Sequence, residues 1–370
     1  MKFDSKIQED NYYMKKSLEL AKLGVGGVNP NPLVGCVIVK NGEIIGKGYH
    51  MKYGQAHAEV NAINSAKEDI EGSTVYVTLE PCSHYGKTPP CADNLVRHKV
   101  KRVVICNVDP NPLVGGRGIK KLQDNGIEVT TGVLEEEGLK INEVFFHYIR
   151  QNKPLVISKT AISMDGKIAT KHLESQWISN EKSRQMTHEF RNKYMAIMVG
   201  INTVLKDNPS LTTRIEGRKT RNPIRIVIDT NLKIPMDSNL VVDKKSKTIV
   251  FTCSEDLEKI NSLKQKDVDV YIAPKLDDGV DLNFVINKLG ELKIDSVLVE
   301  GGATLNDSLF RYNLVDKVKI FMAPKIIGGK DAPSFVSGKG IEKLSEATKL
   351  KIENTTMIDD DILIEADVIK

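Results

Sequence analysis

Between His57 and Cys91 the sequence sets out one imidazole, one carboxylate and two thiols: His57-Ala58-Glu59, then Pro81-Cys82, then Cys91 after the insert Ser83 to Pro90. A nitrogen and two sulfurs suit zinc, and they are one short of the four protein ligands that close a structural site. The last position is left for water. Glu59 is not needed as a ligand and stands where it can move protons. The residue types therefore describe a hydrolytic metal centre, in which zinc brings its bound water to a pKa of roughly 7. A structural zinc, or two buried thiols with no metal, would use the same cysteines and give Glu59 no task.

These groups need elements that bring them together. His57-Ala58-Glu59 predicts the start of a helix reaching about Ala66, with imidazole and carboxylate within its first turn. Thr74 to Leu79 reads as a strand with Cys82 just beyond its end, where open α/β sheets place ligand sites. Cys91 opens a helix to about His98, and thiolates at helix N-termini have lowered pKa values. Upstream, Asp10 is the expected cap of a helix from Asn11 to about Lys22. Asn29-Pro30-Asn31-Pro32 is a rigid loop, and Leu33 to Val39 pairs with Glu43 to His50 around the hairpin signal Asn41-Gly42. Downstream, strands at Val103–Val108 and Glu128–Val133 alternate with helices at Gly118–Asn125 and Glu135–Tyr148. That alternation predicts a mostly parallel sheet covered on both faces. Pro30-Asn31-Pro32-Leu33-Val34-Gly35 recurs as Pro110-Asn111-Pro112-Leu113-Val114-Gly115, either as convergent turn chemistry or as two loops lining one pocket.

Gln151-Asn152-Lys153-Pro154 is a polar, proline-ended joint that divides the chain into domains 1–150 and 151–370. Beyond it, Leu155 to Ala161 is a strand, and Ser179 or Asn180 caps a helix to about Lys193. Further strands are read at Ala196–Val199, Ile224–Asp229, Thr248–Thr252 and Val268–Ala273, followed by a helix at Leu282–Leu289. Ser296 to Glu300 is a strand that runs into Gly301-Gly302 and a helix from about Thr304 to Tyr312. Such a junction aims free backbone N–H groups at a pyrophosphate, although close helix–sheet packing also explains two glycines. No G-x-G-x-x-G follows the first strand, so a Rossmann domain is excluded. Val318–Met322 and Ile362–Val368 add strands.

The charge is balanced, with 53 basic against 49 acidic residues and a net +4, and aromatics are 5%. A nucleic-acid base deaminase would want a basic groove and stacking rings, so that reading is disfavoured, while a small anionic substrate is not. Five cysteines form too sparse a set for a disulfide framework. They fit a reducing compartment, and no signal or membrane span is read, so a cytoplasmic protein is expected.

His57-Ala58-Glu59 and Pro81-Cys82-Ser83-His84-Tyr85-Gly86-Lys87-Thr88-Pro89-Pro90-Cys91, following Asn29 to Gly35, resemble the deaminase half of the bifunctional riboflavin-biosynthesis deaminase/reductase family. Ser158 to Gly166, Ser175 to Ser179, Val199 to Pro209 and Val299 to Leu305 resemble its reductase half. The resemblance implies a cytidine-deaminase-like α/β/α domain followed by a dihydrofolate-reductase-like α/β domain. It implies zinc on His57, Cys82 and Cys91, and proton transfer by Glu59. The substrate implied is 2,5-diamino-6-(5-phosphoribosylamino)pyrimidin-4-one, contacted by Asn31, His50, His84, Lys87 and Thr88. In the second half it implies NADPH on Ala161, Trp177, Thr203, Asp207, Thr230 and the run Gly302, Ala303, Thr304, Leu305, Asn306, Asp307, Ser308. Ser175, Arg191, Leu211, Arg214 and Glu300 would contact the ribosylamino substrate, with forked guanidinium donors on its phosphate. Hydride delivery to the ribose needs a nearby proton donor, and Lys159, cooperating with Glu300, is the candidate. A homo-oligomer with no nucleic-acid or membrane partner is also implied.

Overall fold

The computed structural model describes residues 3–83, 89–111, 115–276 and 279–370. The chain forms two compact units, Met1–Gln151 and Asn152–Lys370.

The first unit is built on a sheet of five strands: β1 (Gly35–Lys40), β2 (Glu43–Tyr49), β3 (Thr74–Leu79), β4 (Arg102–Asn107) and β5 (Glu128–Thr131), in the order β2-β1-β3-β4-β5. Strand β1 runs antiparallel to both neighbours, and only the β3/β4 and β4/β5 pairs are parallel. The sheet is thus mixed rather than mostly parallel. The Asn41-Gly42 hairpin reverses the chain, and β3 then pairs with β1 instead of starting a parallel set.

Both faces of this sheet are buried, and the two-residue side-chain period sorts its residues. Val37, Val39, Tyr76 and Val104 pack with Tyr13, Met14 and Leu18 of helix α1 (Lys6–Ala21). Cys36, Ile38, Val75, Val77, Val103 and Ile105 pack on the other face. There they meet α2 (Ala58–Asn64), α3 (Cys91–Arg97) and α4 (Arg117–Asp124).

Two expected elements came out differently, and each has a long-range cause. Helix α1 starts at Lys6, capped by Ser5, whose hydroxyl accepts from the Gln8 N–H. Asp10 does not cap it. It is buried and takes the Arg102 guanidinium of β4 in two hydrogen bonds of 2.7 and 2.8 Å, while Tyr76 donates to it at 3.0 Å. The single helix expected over Glu135–Tyr148 is two, α5 (Glu135–Ile141) and α6 (Glu143–Gln151). Between them Asn142 is buried, and its amide both donates to the Leu33 carbonyl and accepts from the Leu33 N–H, at 2.9 and 2.8 Å. That pairing fixes the loop that carries Asn31.

In the second unit a nine-stranded sheet has the order β10-β9-β8-β7-β13-β6-β14-β16-β15. In chain order its strands are β6 (Leu155–Ser163), β7 (Ala196–Gly200), β8 (Ile224–Ile228), β9 (Thr248–Thr252), β10 (Val268–Ile272), β13 (Ser296–Val299), β14 (Lys317–Ala323), β15 (Lys349–Ile358) and β16 (Asp361–Ile369). Short strands β11 (Lys275–Leu276) and β12 (Gly279–Val280) form a separate hairpin. All pairs in the large sheet are parallel except those made by β16, with β14 and β15. One face packs on α11 (Leu282–Glu291) and α12 (Ala303–Arg311), and the other on α9 (Asn239–Val242) and α10 (Leu257–Gln265). Helix α7 (Glu181–Lys193) is capped by the Asn180 side chain, and α8 (Ile201–Asp207) follows β7 directly. Strand β15 has no counterpart in the sequence reading. Its first nine residues are exposed on both faces, so the apolar alternation that marks a half-buried strand is absent. Among the described residues no helix is long and apolar enough to cross a membrane.

Candidate active sites

His57 is the residue before α2 and Cys91 the first residue of α3, so two helix N-termini deliver two of the donors. Cys82 arrives from the end of β3. Its segment is held close to α4, because a side chain at Gly118 would lie 2.1 Å from the Pro81 carbonyl oxygen. The three donor atoms lie within 4.8 Å of one another. His57 Nδ1 is 3.6 Å from Cys82 Sγ and 3.4 Å from Cys91 Sγ. The Cys91 N–H also points at Cys82 Sγ, at 3.3 Å. The Cys91 thiol and His57 pull Cys82 down, whereas the Cys82 sulfur and burial push Cys91 up. A divalent cation between them would let both ionise, so this donor set fits zinc in its chemistry as well as its spacing.

Glu59 sits in the first turn of α2 and is 3% exposed. Burial, reinforced by the Cys82 charge, pushes its carboxyl up to about 7. A buried carboxyl poised near neutral pH is suited to accepting and returning a proton.

Beside these groups lies a cavity of about 360 Å³, whose lining includes Asn31, His50, His57, Glu59, Cys82, Asp109 and Asn111. Both copies of the Pro-Asn-Pro repeat therefore reach one cavity through their described residues, Asn31 ahead of β1 and Asn111 after β4. The sequence reading missed Asp109. It also missed Glu80, a buried carboxylate that accepts the Gly116 and Gly118 N–H groups at 2.9 Å each and the Asp109 N–H at 3.3 Å. Glu80 thereby fastens the loop bearing Asp109 and Asn111 to the N-terminus of α4. A lone glutamate before Pro81-Cys82 gave no signal of that role. His50 lines the cavity, but both ring nitrogens have protein partners, Ala56 O at 3.1 Å and the Asn31 side-chain amide at 3.2 Å. It is 2% exposed, so it has no ring nitrogen left to offer a substrate. His84, Lys87 and Thr88 lie outside the described residues.

In the second unit a cavity of about 510 Å³ opens at the N-terminus of α12. It gathers Thr203, Asp207, Thr230, Gly302, Ala303, Thr304, Leu305 and Ser308, together with Ser175. Gly301 and Gly302 differ in what requires them. A side chain at Gly301 would meet Leu305 at 2.8 Å, whereas one at Gly302 would meet nothing within 4 Å. Helix packing explains the first glycine. The second leaves open space in front of N–H groups that no side chain caps, a setting that fits the phosphates of a dinucleotide. Four of the residues expected at the cofactor are not on this cavity. Ala161 lies within β6, and Trp177 is 62% exposed with the Arg184 guanidinium 4.6 Å from its ring. The Asn306 amide bridges Ser158 and the Phe335 carbonyl, and Asp307 pairs with Arg311.

A separate polar cluster joins β6, α7 and the end of β13. The Arg191 guanidinium closes on Glu300 through two hydrogen bonds of 2.8 and 2.9 Å and donates to the Thr212 carbonyl at 3.1 Å. Its fork is thus filled by Glu300 and is not presented to a phosphate. Lys159 Nζ stands 4.0 Å from the same carboxylate. Burial raises Glu300, but Arg191 and Lys159 outweigh it and hold the acid at about 2. Burial lowers the Lys159 ammonium, against the pull of Glu300. Arg214 is exposed, and its main-chain N–H donates to His188 Nδ1 at 3.3 Å. His188 is driven down to about 4 by burial and by Arg191 and Arg214, and it too was missed, since a lone histidine on a helix carries no spacing signal. Leu211 is buried in the core beside β7 and β8, not offered to a ligand.

Residues 7–107 match the model of the cytidine and deoxycytidylate deaminase zinc-binding region, and residues 154–364 match that of the RibD C-terminal domain. The riboflavin biosynthesis protein RibD of Actinobacillus pleuropneumoniae is 48% identical over 98% of this chain and 96% of its own length. That of Escherichia coli is 38% identical over 96% and 98%. A solved RibD structure from Acinetobacter baumannii superposes with a TM-score of 0.91 at 33% identity, covering 99% of this chain and all of that one. A diaminohydroxyphosphoribosylaminopyrimidine deaminase/5-amino-6-(5-phosphoribosylamino)uracil reductase from Thermotoga maritima superposes with a TM-score of 0.89 at 39% identity, with the same coverage.

Proposed function

The chain belongs to the family of bifunctional riboflavin-biosynthesis deaminase/reductases, and from that premise we propose how its own residues divide the work. It is an enzyme with a deaminase and a reductase activity. We assign deamination of 2,5-diamino-6-(5-phosphoribosylamino)pyrimidin-4-one to residues 1–150. The NADPH-dependent reduction of the resulting ribosyl side chain to ribityl goes to residues 151–370.

For the first step, His57, Cys82 and Cys91 would hold zinc. When bound there, zinc supplies the Lewis acidity that makes a water acidic near neutral pH. Glu59 takes up that water's proton and hands it to the ring nitrogen beside the amino-bearing carbon; it then takes the proton of the hydroxyl now on that carbon and gives it to the amine as the carbon–nitrogen bond breaks. Its burial and its place in the first turn of α2 support that role. For the second step, Thr203, Asp207, Thr230 and the N-terminus of α12 would hold NADPH, which supplies the hydride. Lys159 gives the proton to the ribose oxygen as its ring opens. Glu300, kept ionised by Arg191, holds the ammonium in place. Arg214 is the guanidinium left for the substrate phosphate.

Two further assignments rest on single features. The exposed edge strand β15 supports a homo-oligomer, since a long unpaired edge invites a second chain. The two thiols of the ligand triangle support a cytoplasmic setting, because they must stay reduced to act as ligands.

The observation that carries the reading is the triangle of His57, Cys82 and Cys91 beside a buried Glu59 on one cavity. Its test is to supply the zinc-loaded chain with the diaminopyrimidine and NADPH. Ammonia release followed by NADPH oxidation is expected. NADPH oxidation on the undeaminated compound alone, with no ammonia, would refute the order and the first assignment.

A further inference from the structure

We propose that His50 holds Asn31 with its amide oxygen turned into the deaminase cavity, which makes that oxygen the acceptor for an N–H of the substrate base. The substrate in this statement rests on the deaminase reading above. The orientation rests on the hydrogen-bond chain alone.

That chain starts from an atom whose role is not in doubt. The Ala56 carbonyl oxygen can only accept, and His50 Nδ1 lies 3.1 Å from it, so Nδ1 carries the proton. In a neutral imidazole the other nitrogen then holds a lone pair. His50 is 2% exposed and neither of its ring nitrogens meets a carboxylate among the described residues, so the site offers nothing to hold an imidazolium. Nε2 must therefore accept, and the atom 3.2 Å from it has to be the Asn31 amide nitrogen, not its oxygen. The oxygen is left facing away from His50, on a side chain that lines the same cavity as Glu59 and Cys82. Among the described residues no side chain or backbone N–H donates to it.

The anchor is itself fixed. The Ala56 carbonyl also accepts from the Asn61 amide at 3.3 Å, and that amide donates to the Tyr49 carbonyl at 2.8 Å. Ala56 immediately precedes His57. The lock therefore sets Asn31 relative to the metal-binding corner, although Asn31 lies in a loop some distance away in sequence. Its chemical consequence is selectivity. A base that turns an N–H toward Asn31 is matched. One that turns a carbonyl or an unprotonated ring nitrogen there meets oxygen lone pairs and leaves a buried polar atom unpaired. His50 is thus a positioning residue, not a substrate ligand.

The test uses the zinc-loaded full chain labelled with nitrogen-15 in histidine, read by long-range proton–nitrogen spectra at neutral pH. The His50 signals are identified by their loss in His50→Gln. The expected pattern is a protonated Nδ1 and a lone-pair Nε2. An Nε2-protonated tautomer or an imidazolium overturns the proposal. Asn31→Asp removes the donor that Nε2 has among the described residues, so His50 is expected to take a proton there; an unchanged His50 pattern also overturns it. In kinetics, His50→Ala should raise KM for the diaminopyrimidine about tenfold while kcat falls less. His50→Gln, whose amide oxygen can take the place of Nε2, should recover most of that loss. A fall in kcat with unchanged KM in zinc-replete His50→Ala, or no recovery in His50→Gln, contradicts the assignment. Should the alanine variant fail to fold, the spectra of the wild type and of Asn31→Asp still decide. A labelled wild type that shows the expected tautomer but releases no ammonia overturns the deaminase reading and leaves the orientation standing. A reversed tautomer in an active enzyme does the opposite.

Discussion

Glu59, on the cavity of the first unit, and Glu300, in the polar cluster of the second, both have little exposure, yet their surroundings treat charge in opposite ways. Among the described residues no guanidinium or ammonium acts on Glu59, and burial, with the Cys82 charge, lifts its carboxyl to about 7. Glu300 has Arg191 in a two-point grip and Lys159 at 4.0 Å, and it stays near 2 despite its burial. On the assignment proposed above, the group that gains and loses a proton in each turnover is raised, not pinned, by the side chains described around it. The group that must remain a charge is given two counter-ions. On the proposed assignment, the same side chain serves as a proton carrier in one unit and as an electrostatic post in the other because its neighbours differ.

The sharpest way to break this contrast is Glu59→Gln. It should lower ammonia release by about 10²- to 10⁴-fold while zinc content and NADPH oxidation on the deaminated substrate are kept. Near-normal deamination would mean that Glu59 carries no proton. Arg191→Ala should act on stability, because it leaves Glu300 buried without its main partner. A loss of about 3–5 kcal/mol is expected in denaturant unfolding of the second unit. Arg191→Lys should not restore it, since an ammonium cannot span both carboxylate oxygens. A neutral effect of Arg191→Ala would show that the grip is incidental.

The contrast also predicts a dependence on pH. The folded value of Glu300 lies below its ordinary 4.5, at about 2. Its contribution is therefore fully present above about pH 4.5 and is lost as pH falls toward about 2. At about 1.4 kcal/mol per pKa unit, up to about 3 kcal/mol is at stake. Unfolding free energies across that window should fall in the wild type and lose this part of the slope in Glu300→Gln. An identical slope in both would remove Glu300 from the account. Smallest of all, Arg214→Ala should raise KM for the phosphorylated substrate about tenfold and leave KM for NADPH nearly unchanged. The reverse split would move Arg214 to the cofactor.

How much of this could be read in the chain follows from distance along it. His57, Glu59, Cys82 and Cys91 lie within 35 residues, and each sits at the start of a helix or the end of a strand, where local pattern is strongest. The strands β1, β3 and β4 were legible because they are buried on both faces. Asp10 looked like a helix cap because aspartate is a good one. Its real partner, Arg102, is 92 positions away, and nothing local announces such a pair. Asn142 broke a helix for a bond to Leu33, 109 positions distant. Arg191 and Glu300 were both singled out, but their mutual grip was not. Spacing shows which groups can bind a phosphate, not that one of them is already occupied. Strand β15 was unread because it buries neither face.

The most direct test of the central claim is zinc X-ray absorption on the purified chain, compared with Glu59→Gln. The account predicts two sulfurs at about 2.3 Å, with nitrogen or oxygen at about 2.0 Å completing a four-coordinate shell, and the same spectrum in the variant. A third sulfur, or a shell that loses an oxygen when Glu59 is replaced, would contradict a metal held by His57, Cys82 and Cys91 with its last position open.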